Sequence, residues 1–269
     1  MANLHNPVCV VPIAGRKEGI SCPLGVVVRQ HYIIVLNSGS TLPLKVIDRS
    51  STLNKSRVLL QLDVEVDATQ QPSEDSNSTR VKVYDVSLWT NSGTINLGHL
   101  VSLTANPSLQ TLGIEDDSIL YVLSFDKKRV FKLSNFTLNA ELKEFTAKVE
   151  LFFQYTNGQP LCLFDGDEGL SVGIHNRGIQ RLSCVDQSVQ TEDIVRKNPS
   201  ITSVITCTDE KLVFTDAHDH TLNFFDKDRV TKSLGDTQGI RDGFSATFNS
   251  PSSLTLKRTC PCVTSTTKL

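Results

Sequence analysis

Residues 199–256 read PSITSVITCTDEKLVFTDAHDHTLNFFDKDRVTKSLGDTQGIRDGFSATFNSPSSLTL, and this stretch decides the fold. Residues 201–207 (ITSVITC) are a β-branched run that suits a strand packed on both faces. Thr208, Asp209 and Glu210 make a polar turn, and residues 211–215 (KLVFT) a second strand. Residues 216–220 (DAHDH) are a second turn, 221–225 (TLNFF) a third strand, 226–228 (DKD) a third turn, and 230–234 a weaker fourth strand. Short strands joined by tight turns make a four-stranded antiparallel meander. Alone, such a meander leaves its edges open and encloses too small a core. It becomes stable by packing face to face against copies of itself.

The next segment carries Leu234-Gly235, Gly239, Asp242-Gly243-Phe244, Ala246, Phe248 and Pro251. The pattern LG…G..DGF.A.F..P..L resembles the linker between blades in NHL-repeat β-propellers. The resemblance implies an all-β propeller of four-stranded antiparallel blades, with this linker running from one blade's outer strand to the next blade's inner strand. Phe244 and Phe248 would then plug gaps between blades, and Pro251 would set the entry to the inner strand. It further implies a rigid, non-enzymatic platform for a protein partner. A weaker copy of the pattern lies at Ile13-Ala14-Gly15, Gly19 and residues 23–28 (PLGVVV).

Taken in order, residues 8–15 read as a short outer strand, and Pro23 opens the first clear blade, with strands at 32–36 and 42–47. Residues 48–106 are the least regular. Residues 58–66 and 81–86 alternate as strands do, and the polar stretch 67–80 between them reads as a loop. Trp89 reads as core or blade-edge packing. Pro107 reopens the register, with strands at 109–114, 119–123, 129–133 and 145–153. Pro160 opens the next blade, at 161–164, 170–174 and 178–182, and Pro199 and Pro251 follow. The interval from Pro23 to Pro107 is twice a blade length and is expected to hide a degenerate blade. The expectation is about five or six blades in one domain over 7–258, with a polar tail at 259–269. Only the strand 253–256 follows the last linker, so an incomplete ring is expected, with apolar strand faces exposed beside the gap.

Of the 269 residues, 39% are hydrophobic and 21% charged, with net charge −2. This is a globular composition, and it disfavours RNA as a partner because nucleic-acid binding needs a basic surface. The seven cysteines are scattered and odd in number, so buried free thiols are expected rather than a disulfide framework. The first 15 residues lack the basic region and long apolar core of a secretory leader, and no apolar run is long enough to span a membrane. A cytoplasmic location is expected.

The cluster Asp216, His218, Asp219, His220 could hold a metal, but it falls in a turn and matches a structural position of NHL-type blades. His5, His31, His99 and His175 do not recur at matching places in the repeat. Cys260-Pro261-Cys262 has no second pair to complete a metal site. Residues 165–169 (DGDEG) lack the ligand spacing of a calcium loop and read as a turn. No nucleophile elbow, phosphate loop, HExxH helix or dinucleotide fingerprint occurs, so no catalytic residue and no cofactor is assigned. Basic residues in turns, namely Lys127, Lys128, Arg177 and Arg241, with Asp216 and His218, are the candidate partner-binding set. A basic RNA-binding face and a propeller lyase or hydrolase with a channel metal are the rival readings.

Overall fold

The computed structural model describes residues 13–29, 31–38, 40–52, 81–91, 93, 95–105, 119–139, 141–166, 169–183, 188–192, 199–206, 211–226 and 229–235. These contain sixteen strands, which fall into four antiparallel meanders. The first is β1 (Pro23–Val28), β2 (Tyr32–Asn37), β3 (Leu44–Asp48) and β4 (Val83–Trp89). The second is β5 (Leu100–Ala105), β6 (Leu120–Ser124), β7 (Arg129–Asn139) and β8 (Glu144–Gln154). The third is β9 (Gln159–Gly166), β10 (Gly169–His175), β11 (Gly178–Leu182) and β12 (Val189–Glu192). The fourth is β13 (Ile201–Thr206), β14 (Leu212–Asp216), β15 (Thr221–Asp226) and β16 (Arg229–Leu234).

The fourth meander is the stretch that opened the sequence reading, with its four strands in the expected order. Val204 pairs with Phe214, Phe214 with Asn223, and Asn223 with Ser233. The third keeps its expected first three strands and gains β12 as its outer strand. The second departs from expectation at its inner edge. β5 occupies the position expected of 109–114 and pairs with β6. Residues 109–114 and Pro107 lie outside the described residues. Among the described residues no further meander stands between the first blade (β1 to β4) and β5. Residues 53–80, which include the expected strand 58–66, separate β3 from β4 and lie outside the description, as do 1–12 and 236–269. Trp89 ends β4 at a blade edge, 40% exposed.

What makes this a propeller is how strands divide their two faces. In β6, Leu120 and Val122 join the core between the first and second blades. Their neighbours Tyr121 and Leu123 join the core between the second and third blades, with Leu163, Leu170, Val172 and Ile174. The other face of the third blade gives Cys162 and Ile179 to a core with Ile201, Val204, Phe214 and Phe225 of the fourth. Alternation along a strand thus supplies two apolar faces per blade. Inner strands lie side by side: the Ser102 hydroxyl of β5 accepts the Leu163 amide of β9 at 3.0 Å.

The first two blades are joined more closely than the others. β4 pairs in parallel with β8, from Val86 with Phe145 to Trp89 with Lys148, which merges eight strands into one sheet. At the opposite edge β1 approaches β5, where a Cβ on Gly25 would lie 3.1 Å from the Leu103 Cβ. The sheet almost closes on the core of Leu36, Leu44, Val86, Phe131 and Leu133. The outward face of β1 leaves Leu24, Val26 and Val28 exposed at 47%, 56% and 54%. Among the described residues no helix is long and apolar enough to cross a membrane.

Candidate functional site

In a four-stranded meander, the turn between the second and third strands emerges at the same end as the linker to the next blade. All four such turns therefore share one face of the molecule. They are residues 38–43, 125–128, 176–177 and 217–220.

Three of these turns are anchored alike. A side-chain oxygen at or just beyond the end of the second strand accepts the amide of the linker residue that enters the blade. Asn37 Oδ1 accepts the Cys22 amide at 2.9 Å, Asp126 Oδ1 the His99 amide at 2.8 Å, and Asp216 Oδ1 the Ser200 amide at 3.1 Å. The carbonyls of the same linker residues accept the first turn amides, those of Ser38, Phe125 and Ala217, at 2.8, 2.8 and 2.9 Å. Each turn is thus tied to its own linker by paired bonds, so buried backbone groups are satisfied. Gly98 is needed for the second tie. At φ +68°, a Cβ there would fall 2.2 Å from Asp126 Oδ1. In the third blade the first turn amide, Asn176, instead donates to Pro199 O of the following linker at 3.1 Å.

The candidate side chains sort by this scaffold. Lys127, Arg177 and His218 are exposed at the turn tips, and Lys128 is half-buried. Lys128 and His220, the last residues of their turns, and Asn176 hold left-handed φ of 52°, 55° and 60°. Asp216 is 1% exposed. Its Oδ1 also accepts the His218 amide at 3.0 Å, and its Oδ2 is buried with no hydrogen-bond partner. Expected as a partner contact, it instead holds the backbone. Arg241 lies outside the described residues, as do Cys260 and Cys262. Of the 165–169 segment, Gly166 ends β9 opposite Gly169 of β10, and residues 167–168 lie outside the described residues.

The charges on this face are mixed. Burial opposes the charge on Asp126, but hydrogen bonds from the His99 amide, the Ser124 hydroxyl and the Lys127 amide hold its carboxyl below the usual value. His218 Nδ1 lies 2.9 Å from Asp219 Oδ1, and this bond raises the imidazole pKa. Among the described residues, no three His, Cys, Asp or Glu side chains converge as a metal site would need. Cys162 is a free, buried thiol whose pKa burial pushes up to about 12, so it is a poor nucleophile.

Sequence reading missed a cleft of about 270 Å³ on the same face, between the first and second blades. Its rim carries Ser38, Ser40, Thr41, Asn96 and His99, and its wall Leu42, Pro43, Val86, Leu88, Ile95 and Leu97. Ser38 Oγ and His99 Nε2 lie 3.3 Å apart at the rim. The two sides are far apart in sequence, which is why residue order alone does not bring them together.

No family model and no curated protein matches the chain. Solved structures with a similar fold include a catalytically inactive virginiamycin B lyase from Staphylococcus aureus with quinupristin, 12% identical, with a TM-score of 0.44 over 80% of this chain and 56% of that one. An auxiliary nutrient binding protein from Bacteroides thetaiotaomicron is 11% identical, with a TM-score of 0.47 over 86% of this chain and 53% of that one. The computationally designed Ika8 protein is 13% identical, with a TM-score of 0.45 over 88% of this chain and 66% of that one. The chain spans just over half the length of the first two of these.

Proposed function

We propose that this chain is an NHL-type propeller that acts as a non-enzymatic scaffold and docks a protein partner on the face of the tied turns. One observation carries the reading: the turn backbones of the first, second and fourth blades are each fixed to an incoming linker by paired hydrogen bonds. Rigid turns hold Lys127 and His218 in place before a partner arrives, which lowers the entropy lost on binding. The buried, unpaired Cys162 suits a reducing cytoplasm.

The test is a pull-down with the purified chain beside a Lys127→Glu/Arg177→Glu variant of equal melting temperature. A protein retained by the first and lost by the second supports the scaffold. A protein retained equally by both removes this face from the reading. The exposed Lys127 and Arg177 also favour RNA as a second reading, which requires affinity that falls steeply with salt. No RNA binding at low salt dismisses it.

A further inference from the structure

We propose that the cleft between the first and second blades binds an extended, uncharged peptide segment by pairing it with the open edge of β4. The proposal rests on the reading of this face as a docking platform and names the chemistry of the partner.

β4 changes partner midway. Residues 83–85 pair with β3, and residues 86–89 pair with β8 on the other edge. The β3 ladder stops at Lys45 and Asp85, whose side chains form an ion pair. The Pro43 carbonyl accepts the Asn37 amide of β2 at 2.7 Å, so the backbone there faces β2 and away from β4. The Asp48 amide donates to Lys82 O at 3.0 Å, so by strand alternation the backbone groups of residues 82, 84, 86 and 88 face the β3 side. Beyond the end of that ladder, Leu88 therefore presents its N–H and C=O toward the cleft that it lines. No strand among the described residues occupies this edge.

An unpaired strand edge beside a pocket is the arrangement that accepts an added strand: main-chain bonds give affinity, and the pocket selects alternate side chains. Among the described residues the lining contains no Asp, Glu, Lys or Arg. Leu42, Leu88 and Leu97 would receive one apolar side chain, and the rim hydroxyls of Ser40 and Thr41 its neighbouring amides. A charged residue there would lose hydration without gaining a counter-ion.

The experiment screens an array of short acetylated and amidated peptides against the whole chain. It then measures the best binder by fluorescence anisotropy on the wild type, on Thr41→Trp and on the Lys127→Glu/Arg177→Glu variant. Thr41 is exposed, so tryptophan there fills the cleft from its rim, and equal melting temperatures establish that the fold is kept. The expected binder is neutral and apolar at alternate positions, insensitive to salt, and weakened about tenfold or more by Thr41→Trp. N-methylation of its amides should weaken binding at every second position, a readout independent of the protein variant. Failure of every neutral peptide to bind, unchanged affinity for Thr41→Trp, or N-methyl effects without alternation each overturn the proposal. The charge-reversed variant separates the two readings. It should bind the peptide normally while losing the retained protein, so the platform can fail while the cleft stands, and the reverse.

Discussion

The fourth blade takes all four of its strands from one continuous stretch, whereas the first takes β4 from beyond residues 53–80 and shares it with β8 of the next blade. In the fourth, pairing is antiparallel and local throughout. In the first, a parallel ladder between outer strands joins two blades that touch again where Gly25 meets Leu103. The same repeat unit is thus used once as a separable sheet and once as half of an eight-stranded sheet around a common core. A blade's cooperative unit is therefore set by where its outer strand goes.

The largest expected effect tests that difference directly. Phe131 lies in the core shared by the first and second blades and Phe214 in the core between the third and fourth, both essentially buried. Phe131→Ala and Phe214→Ala should each cost about 3–5 kcal/mol. Their footprints in hydrogen exchange should differ. Phe131→Ala should raise exchange in β1 to β8 together, and Phe214→Ala mainly in β9 to β16. Equal exchange across both blade sets in either variant would erase the comparison.

Gly25→Val should cost less, about 1–3 kcal/mol, by forcing β1 away from Leu103. Thermal melts should place this loss in the eight-stranded sheet. A neutral result would mean that the edges of that sheet are not held together.

The turn ties come next. Asp216→Ala removes the acceptor of the Ser200, His218 and Asp219 amides, and Asn37→Ala that of the Ser21 and Cys22 amides. Each should cost about 1–3 kcal/mol, measured by urea unfolding. Asn37→Asp would sharpen the comparison. It keeps the acceptor but loses the Nδ2 bond to Gly19 O at 3.1 Å, so it should restore only part of the loss.

The smallest effect is in pH. The folded imidazole of His218 is raised above its ordinary value by Asp219, so its contribution is present below that value and fades as pH rises through the raised one. Asp126 has the opposite sign: its folded carboxyl lies low, so its contribution is present above the ordinary aspartate value and is lost as pH falls through the depressed one. Melting curves of His218→Gln and Asp126→Asn against wild type should diverge at opposite ends of the pH range. A His218→Gln curve parallel to wild type from about pH 6 to 8 would remove the histidine effect.

Blades built from local turns were legible from residue order. β13 to β16 and β9 to β11 appear where β-branched runs alternate with polar turns, because strand propensity and turn chemistry act over a few residues. The turn residues Lys127, Arg177 and His218 were legible as exposed for the same reason. Asn37 and Asp216 end their second strands and Asp126 lies just beyond its own, and their shared duty as linker anchors emerges only when linker and turn meet in space.

What the sequence by itself determined is the all-β repeat: alternating apolar positions that give a strand two faces to bury, and turn residues that reverse the chain. What only the tertiary structure decided is non-local. β5 became the inner strand of the second blade, β4 crossed to β8, and a cleft opened beyond the point where the β3 ladder ends at Lys45 and Asp85. Strand alternation specifies which faces are apolar but not which edge of another blade will complete the hydrogen bonds. That choice depends on close approaches, such as Gly25 against Leu103, between residues far apart along the chain.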